Sequence, residues 1–414
     1  MEALPVEAVK GILAAEFKGY SKMNFKTRIE LLVLSLACLM VPALVPRSHA
    51  QDVPRFKVDP YWPKELPNNW ILQGVPRIAI DKNDHVWIIS RESDINTTAQ
   101  LDAPENGAGQ DPPTAMCCKA APAVLEFDAE GKLLKSWGGA NYVPGWPQRR
   151  EHALLVDKQG NVWVGGNDPG DTLLQFTPDG KFLRDFGHRA PAIPPDQRKG
   201  NPVFQKDNNQ QTDYFTAGIA APAIDDDARE LYMGDYIHRR VLVYDLDTGA
   251  FKRGWGGHGI PLSEISNDPQ PPFDPAGPPR KDFTLPVHCI HISADGLVYV
   301  CNRGGDSIQV FTKQGQFVKE FFLPRMTAKG GTRVFELAFS ADPKQKYLFD
   351  ADGTNNIVWI LNRDDGKIVG SVGHFGRYAG QLHFIDGIAI DSKGNLYTGE
   401  VGTGKRVQKF VLQK

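Results

Sequence analysis

Residues 151–187 read EHALLVDKQGNVWVGGNDPGDTLLQFTPDGKFLRDFG, and this stretch decides the fold. It contains two successive hairpins, in which LLVD and NVWVG flank the polar turn KQG, and LLQF and KFLRDFG flank the turn TPDG. Short runs of β-branched and aromatic residues around Asp-Gly and Gln-Gly turns are typical of antiparallel hairpins. The segment therefore predicts one unit of four antiparallel strands.

The same unit recurs along the chain. Its first apolar run ends each time in Asp or Ser, at Asp81, Asp157, Asp225, Ser293, Ser340 and Asp391. Four strands at a spacing of about 45–50 residues are typical of a propeller blade. We therefore predict an all-β chain that forms a six-bladed β-propeller with four-stranded blades. An open β-solenoid is the alternative, and it is disfavoured because solenoids need caps and have shorter repeats.

The sixth unit is one strand short, because the chain ends after RVQKFVLQ. A free outer edge is a liability for a sheet. We expect the segment Arg55 to Asp59, which reads RFKVD, to supply the missing outer strand and close the ring.

The first fifty residues do not resemble a domain. The basic stretch MNFKTR at 23–28, the apolar LLVLSLACLMVPALV and the small residues SHA form the pattern of a secretory signal peptide. The apolar run is too short to span a membrane comfortably. We therefore predict an N-terminal extension and signal peptide over 1–50, cleavage near Ala50, and a propeller over 51–414 that is periplasmic or secreted and not membrane-bound.

Charge excludes some partners. Without residues 1–50, the chain has 41 basic and 45 acidic residues, a net charge of −4, and no basic stripe. Nucleic acid and anionic membranes are thus excluded as expected partners. We expect a monomer that binds a small-molecule or peptide-like substrate.

Four cysteines remain after the signal segment is removed, and an even count in an exported chain indicates disulfides. Cys289 and Cys301 are expected to lie opposite each other on the first hairpin of blade 4. Cys117 and Cys118 are adjacent in a long loop of blade 1. The pairing is either vicinal plus cross-strand, or from the loop to blade 4. Metal binding by these cysteines is less favoured, because no second CxxC pair accompanies them.

Three long segments rich in Pro, Gly, Asn and Asp interrupt the repeat, at 93–116, 188–216 and 258–283. They follow a second strand or lead into a first strand, so all of them should open on one face of the ring. Long loops in a compact domain are usually functional or disordered. Here we expect them to surround the mouth of the axial cavity.

One position of the repeat carries candidate metal ligands. The position five residues before the end of each first run is occupied, in order, by Pro76, His152, Ala220, His288, Phe335 and Asp386. His152, His288 and Asp386 belong to alternate blades, so they should converge on the axis with ligand atoms about 3–4.5 Å apart. Two histidines and a carboxylate with an open fourth position predict catalytic Zn²⁺, with iron, manganese or calcium as alternatives. His383 competes with Asp386 as third ligand.

A second position lies where the second strand leaves the ring. It is occupied, in order, by Arg91, Asn167, Tyr236, Arg303, Gly353 and Val401. Arg91 and Arg303 are suited to an anionic substrate, and a cation beside Tyr236 would favour its phenolate as an acid/base. The structural alternative is surface pairing, with Arg303 bracing Asp306.

The segments EHALLVDKQGNVW, GDYIHRRVLVYD, LPVHCIHIS and CNRGGDSIQVF resemble NHL-repeat propellers. The resemblance covers essentially all of 55–414 and is closest to the peptidyl-α-hydroxyglycine α-amidating lyase domain and its bacterial relatives. It implies that His152 and His288 match two of three zinc-binding histidines. It also implies that Arg91 and Tyr236 match an arginine and a tyrosine that serve the cleavage of a carbinolamide C–N bond, and that Arg303 matches a further pocket arginine.

Blade 6 departs from the family pattern. That family has Met-Pro-His-Asp there, with the His on zinc and the Asp on a structural calcium, whereas this chain has Phe384, Ile385, Asp386 and Gly387. The third ligand is therefore a carboxylate, and the calcium carboxylate is missing. The departure concerns the amidating activity and the affinity for metal, not the fold.

Three functions follow from these residues. The first is an exported metal-dependent lyase that cleaves a C–N or related bond of a small polar substrate. The second is a non-enzymatic propeller that binds a protein or glycan, and the third is a lactonase-like hydrolase that uses calcium. Propellers host all three, so fold alone does not choose among them.

Overall fold

The structure is a computed structural model. It describes residues 53–91, 114, 116–148, 150–168, 170–189, 191–192, 194–197, 212–214, 218–235, 238–266, 268–324 and 333–413. Among these residues, no helix combines the length and apolar character needed to cross a membrane. The predicted extension and signal peptide over 1–50 lie outside the described residues, as does most of the predicted loop at 93–116.

Six four-stranded antiparallel sheets form in the described part of the chain, which confirms the six-bladed propeller. Blades 1 to 3 consist of β3 (Gly74–Ile80), β4 (Val86–Arg91), β6 (Val124–Phe127), β7 (Leu133–Trp137), β8 (Glu151–Val156), β9 (Val162–Gly166), β10 (Leu173–Phe176), β11 (Phe182–Asp185), β12 (Ala223–Asp225), β13 (Glu230–Asp235), β14 (Arg240–Asp245) and β15 (Phe251–Gly256).

Blades 4 to 6 follow the same order from axis to rim. Their strands are β16 (Val287–Ile292), β17 (Leu297–Asn302), β18 (Ser307–Thr312), β19 (Phe317–Phe322), β20 (Val334–Phe339), β21 (Tyr347–Asp352), β22 (Ile357–Asn362), β23 (Ile368–Val372), β24 (Ile385–Ile390), β25 (Leu396–Glu400), β26 (Arg406–Gln413) and, at the rim of blade 6, β1 (Arg55–Asp59).

The N-terminal strand completes blade 6. β1 pairs antiparallel with β26, from Arg55 opposite Gln413 to Asp59 opposite Lys409. This confirms the predicted closure. β26 thus gains a hydrogen-bonded partner along its outer edge, and blade 6 reaches four strands like the other blades.

Smaller elements lie between the blades. Two short parallel strands, β2 (Trp70–Ile71) and β5 (Lys119–Ala120), were not predicted, and they join the entry of blade 1 to its loop. The described 3₁₀ turns are short, and their bounds are Pro195–Gln197, Gly257–Gly259, Leu262–Glu264 and Arg303–Gly305.

The Asp that directly follows the inner strand in several blades has a structural role. Asp157 accepts hydrogen bonds from the backbone N–H of Asn161 (2.7 Å) and from the indole N–H of Trp163 (3.0 Å). Asp391 does the same for Asn395 N–H (2.8 Å) and the Tyr397 hydroxyl (3.1 Å). One carboxylate therefore fixes the hairpin turn and satisfies the polar atom of a buried aromatic ring, which allows that ring to pack between blades.

The blades are held together by apolar side chains between neighbouring sheets. Trp87, Trp163, Tyr232 and Tyr299 are essentially inaccessible to solvent. Burying one large apolar side chain stabilises a fold by roughly 1.5–3 kcal/mol. The hydrophobic packing thus lies between the blades rather than at the centre. Polar residues can therefore occupy the axis.

The cysteines lie as the cross-strand prediction required. The sulfur atoms of Cys289 and Cys301 are within bonding distance, with their Cα atoms 4.9 Å apart, and those of Cys117 and Cys118 are within bonding distance as well. Of the two pairings left open by the sequence, the structure has the vicinal plus cross-strand one.

Candidate metal centre

The three predicted ligands meet at the axis. His152 Nε2 lies 3.5 Å from Asp386 Oδ2, and His288 Nε2 lies 3.8 Å from Asp386 Oδ1. Ligand atoms of all three residues lie within 4.8 Å of one another, and the two imidazole rings meet edge to face with centroids 5.1 Å apart. Each of the three residues is at least 97% buried. Geometry thus places these side chains where one ion could contact all of them.

A local irregularity of the inner strands directs these side chains. The pairing of β8 with β9 shifts register between Glu151 and Ala153, which leaves His152 as the extra residue. The same shift occurs at Asp386, between Ile385 and Gly387, and between Val287 and Ile290 in blade 4. A β-bulge re-aims the side chain of the extra residue. The bulges therefore turn these side chains out of the alternating pattern and toward the axis.

Backbone carbonyls set the tautomer of both histidines. His288 Nδ1–H donates to Phe335 O (2.6 Å), and His152 Nδ1–H donates to Ala220 O (3.3 Å). Arg77 Nη2 is also 3.4 Å from His288 Nδ1. A guanidinium N–H cannot donate to a nitrogen that itself carries a proton, so the shorter contact with the carbonyl determines the tautomer of His288. In both rings Nε2 therefore keeps its lone pair and faces Asp386.

The two predicted arginines border the cluster. Arg91 donates from Nε to Glu151 O (2.8 Å), and its Nη2 lies 4.0 Å from Asp386 Oδ2. Arg303 places its guanidinium carbon 3.8 Å from the ring centroid of Phe335. Asp306, which the structural alternative assigned to Arg303, forms an ion pair with Arg333. Tyr236 lies outside the described residues.

His383 is separate from the cluster. Its Nε2 contacts the hydroxyl of Thr403, and Arg377 lies 3.5 Å from the same nitrogen. The residue that approaches the two buried histidines is Asp386 and not His383.

Two further charged residues at the axis, Arg77 and Glu336, were not identified from the sequence. Arg77 Nη1 lies 2.8 Å from Glu336 Oε2 and 3.8 Å from Asp386 Oδ1, and it donates to Asp386 O (3.1 Å). The second oxygen of Glu336 accepts a hydrogen bond from His291. The sequence repeat did contain an indication of this ion pair, at the position directly after that of the candidate metal ligands. It is occupied by Arg77, Ala153, Ala221, Cys289, Glu336 and Gly387. Its two charged members are the residues that pair.

Burial and the arginines determine the charge states. Burial, then the charges of Arg77 and Arg91, hold the pKa of His152 well below its usual range. Burial, then the charge of Arg303, does the same to the pKa of His288. Both imidazoles are therefore neutral near pH 7.

The two carboxyl groups respond differently. Burial raises the pKa of Asp386, against the opposing charges of three arginines. The pKa of Glu336 is lowered although burial opposes this, because Arg77 and His291 stabilise its charged form. Glu336 and Arg77 thus form a buried ion pair, and Arg91 and Arg303 are the other two arginines whose charges act on Asp386.

The donor set fits a divalent transition metal. Neutral imidazole Nε2 and a carboxylate oxygen are its usual ligands, and a ligating His normally donates its other N–H to a carbonyl or carboxylate, as both rings do. Asp386 Oδ1 is buried and accepts no hydrogen bond from the described residues. His152, His288 and Asp386 would hold the ion.

Comparisons with known proteins give a fold likeness only. No protein-family model matches the chain, and no curated protein matches it. A streptogramin B lyase structure is similar at 13% identity and a TM-score of 0.49, over 88% of this chain and 100% of that one. A catalytically inactive variant of virginiamycin B lyase from Staphylococcus aureus with quinupristin is similar at 13% identity and a TM-score of 0.45, over 87% of this chain and 89% of that one.

Proposed function

We propose that this protein is an exported, metal-dependent lyase that cleaves a C–N or related bond of a small, polar, peptide-like substrate in the axial cavity. The observation that carries the proposal is the buried cluster of His152, His288 and Asp386, with ligand atoms within 4.8 Å of one another. Bound Zn²⁺ would supply Lewis-acid polarisation of a substrate hydroxyl or of a bound water.

The protein's own residues define which substrate would bind. Arg91 and Arg303 flank the cluster, and their charges oppose the rise in the pKa of Asp386 that burial causes. Two guanidinium groups in a buried site favour a substrate with a carboxylate or similar anionic end. Glu336 does not cancel them, because its charge is compensated by Arg77 at 2.8 Å.

The reaction class is the cleavage of a carbinolamide. The hydroxyl of the substrate loses its proton to a base, a C=O bond forms, and the C–N bond breaks with its electron pair going to nitrogen, which takes up a proton. An amide and an aldehyde acid result, and no oxidant or reductant is consumed. We assign the proton transfer to Tyr236 and the binding of the anionic end to Arg91 and Arg303.

Elemental analysis of protein purified from the exported fraction tests the metal centre. We expect about one tightly bound zinc or similar transition metal per chain. His152→Ala and His288→Ala should each abolish metal retention, whereas His383→Ala, the matched control outside the cluster, should retain it. Stoichiometric metal in the double variant His152→Ala/His288→Ala would refute the site. Calcium in place of a transition metal would favour the lactonase-like hydrolase, and no metal would favour the binding module.

Turnover is tested with α-hydroxyhippurate, which should yield benzamide and glyoxylate. Arg91→Met should raise KM more than it lowers kcat, because it removes a contact to the anionic end that is present before and during the reaction. Metal retained without any cleavage of this probe would contradict the reaction class and leave the metal centre in place.

A further inference from the structure

A partly exposed phenylalanine lies at the rim of the axial site. Phe384 is 41% exposed and has a φ of 54°, a left-handed conformation that is a rare outlier for a bulky residue. Such a conformation is strained and persists only where neighbouring contacts impose it. Here Phe384 N–H donates to Asn356 Oδ1 of blade 5, and Phe384 O accepts from Val401 N–H at 2.9 Å. Two blades therefore hold one aromatic residue in a strained, solvent-facing position.

Space for the ring is provided by a glycine. Gly402 has a φ of 58°, and a Cβ built there would lie 2.8 Å from Phe384 Cδ1. A side chain at position 402 would displace the ring. The position of the Phe384 ring thus depends on the backbone of both neighbouring segments.

Ring contacts connect Phe384 with the metal ligands. Phe384 meets Phe335 edge to face at 6.2 Å, and Phe335 meets the imidazole of His288 at 5.4 Å. Phe335 also carries the guanidinium of Arg303 on its face, at 3.8 Å. An apolar surface and a cation thus lie side by side, and the chain of contacts ends at a candidate metal ligand.

We propose that Phe384, backed by Phe335, forms an apolar subsite that receives the aromatic or aliphatic acyl group of an anionic substrate. The carboxylate of that substrate is held by Arg303 and Arg91, so the substrate class is an N-acyl amino acid or a peptide end with an apolar group next to the cleaved bond. This inference rests on the proposed function and adds its specificity. A small substrate fits better than a protein surface, because the exposed ring is continuous with a buried polar centre through Phe335 and Arg303.

Binding of two stable probes tests the subsite without turnover. Hippurate and N-acetylglycine share the carboxylate and the amide and differ in a phenyl against a methyl group. By calorimetric titration the wild-type protein should bind hippurate roughly tenfold more tightly, since an aromatic group gains burial and ring contacts. Phe384→Ala should bring this ratio close to one and leave the affinity for N-acetylglycine unchanged. Phe384→Leu should keep part of the preference.

Tyr378→Ala is the matched control, because Tyr378 is another exposed aromatic residue leading into blade 6, at 81% exposure. It should leave the ratio as in the wild type. The subsite is overturned if the wild type binds both probes equally, or if the ratio is unchanged in Phe384→Ala. Neither result bears on the metal centre, because metal content is measured separately. If neither probe binds, both the subsite and the assigned role of the two arginines are overturned.

Discussion

Arg77 Nη1 lies 2.8 Å from Glu336 Oε2, so a residue of blade 1 forms an ion pair with a residue of blade 5, although blade 6 lies between them in the ring. Gly387 of blade 6 makes this possible, because a Cβ there would lie 2.5 Å from Pro76 O and 3.1 Å from Arg77 Cα. The pair is almost fully buried. It places a fixed, compensated charge next to Asp386 and connects three blades at the axis.

Removing one member of this pair should destabilise the fold. Arg77→Met removes the guanidinium that pairs with the buried carboxylate of Glu336 at 2.8 Å and lies 3.8 Å from Asp386 Oδ1, which costs about 3–5 kcal/mol in the free energy of unfolding. Urea denaturation measures this. Arg77→Met/Glu336→Leu should recover part of the loss, because two apolar residues replace the pair. A loss below about 1 kcal/mol in the single variant would mean that the pair does not hold the axis together.

Gly387→Ala should also lower stability, by about 1–3 kcal/mol, because the new methyl group meets backbone atoms of blade 1 that cannot move aside. We expect weaker zinc binding in the same variant, since Asp386 precedes the displaced position. Ser371→Ala, on the exposed outer strand β23, is the control and should leave both quantities unchanged. Wild-type stability in Gly387→Ala would show that the close approach of the two backbones is not required.

A pH dependence is expected from Asp171. Burial, together with the charges of Asp168 and Glu151, raises the pKa of this carboxyl from 3.8 to about 7. Because the pKa of this carboxyl is higher in the folded than in the unfolded state, its protonated form contributes most to the free energy of unfolding below pH 3.8. This contribution is lost as the pH rises through 7.

Asp171→Asn should remove this dependence. The free energy of unfolding of the variant, relative to the wild type, should rise between pH 4 and pH 7 and then level off. Denaturant titrations at several pH values measure it. A difference between the two proteins that is constant across this range would contradict the raised pKa.

The cross-strand disulfide should contribute to stability. Cys289 and Cys301 are 12 positions apart in the sequence, and closing a loop of this size stabilises the fold by about 3 kcal/mol in the chain-entropy description. Cys289→Ala/Cys301→Ala should lose most of this. Cys117→Ala/Cys118→Ala is the internal control, because adjacent residues close no loop, and it should lose little.

Thiol titration of the purified protein, unfolded without reductant, should find few free thiols. Four free thiols would remove the disulfide assignment.

The candidate metal ligands show how much of the site can be predicted from position in the repeat alone. In a propeller every blade presents the same position to the axis, so a residue aligned with His152 is expected to face the axis as well. Asp386 is found there, while His383, three residues earlier, contacts Thr403 instead. The bulge that turns these side chains inward is not visible in the sequence, but it recurs with the repeat and does not disturb the alignment.

The sequence by itself determined the six blades, the closure by Arg55–Asp59 and the convergence of His152, His288 and Asp386, because each depends on local hairpin signals repeated around a ring. Only the tertiary structure decided that Arg77 reaches Glu336 and that Phe384 contacts Phe335. The physical reason is that these contacts depend on distances between neighbouring blades. Such distances are set by glycines that let backbones approach and by strained backbone held from both sides, and neither has a periodic pattern in the sequence.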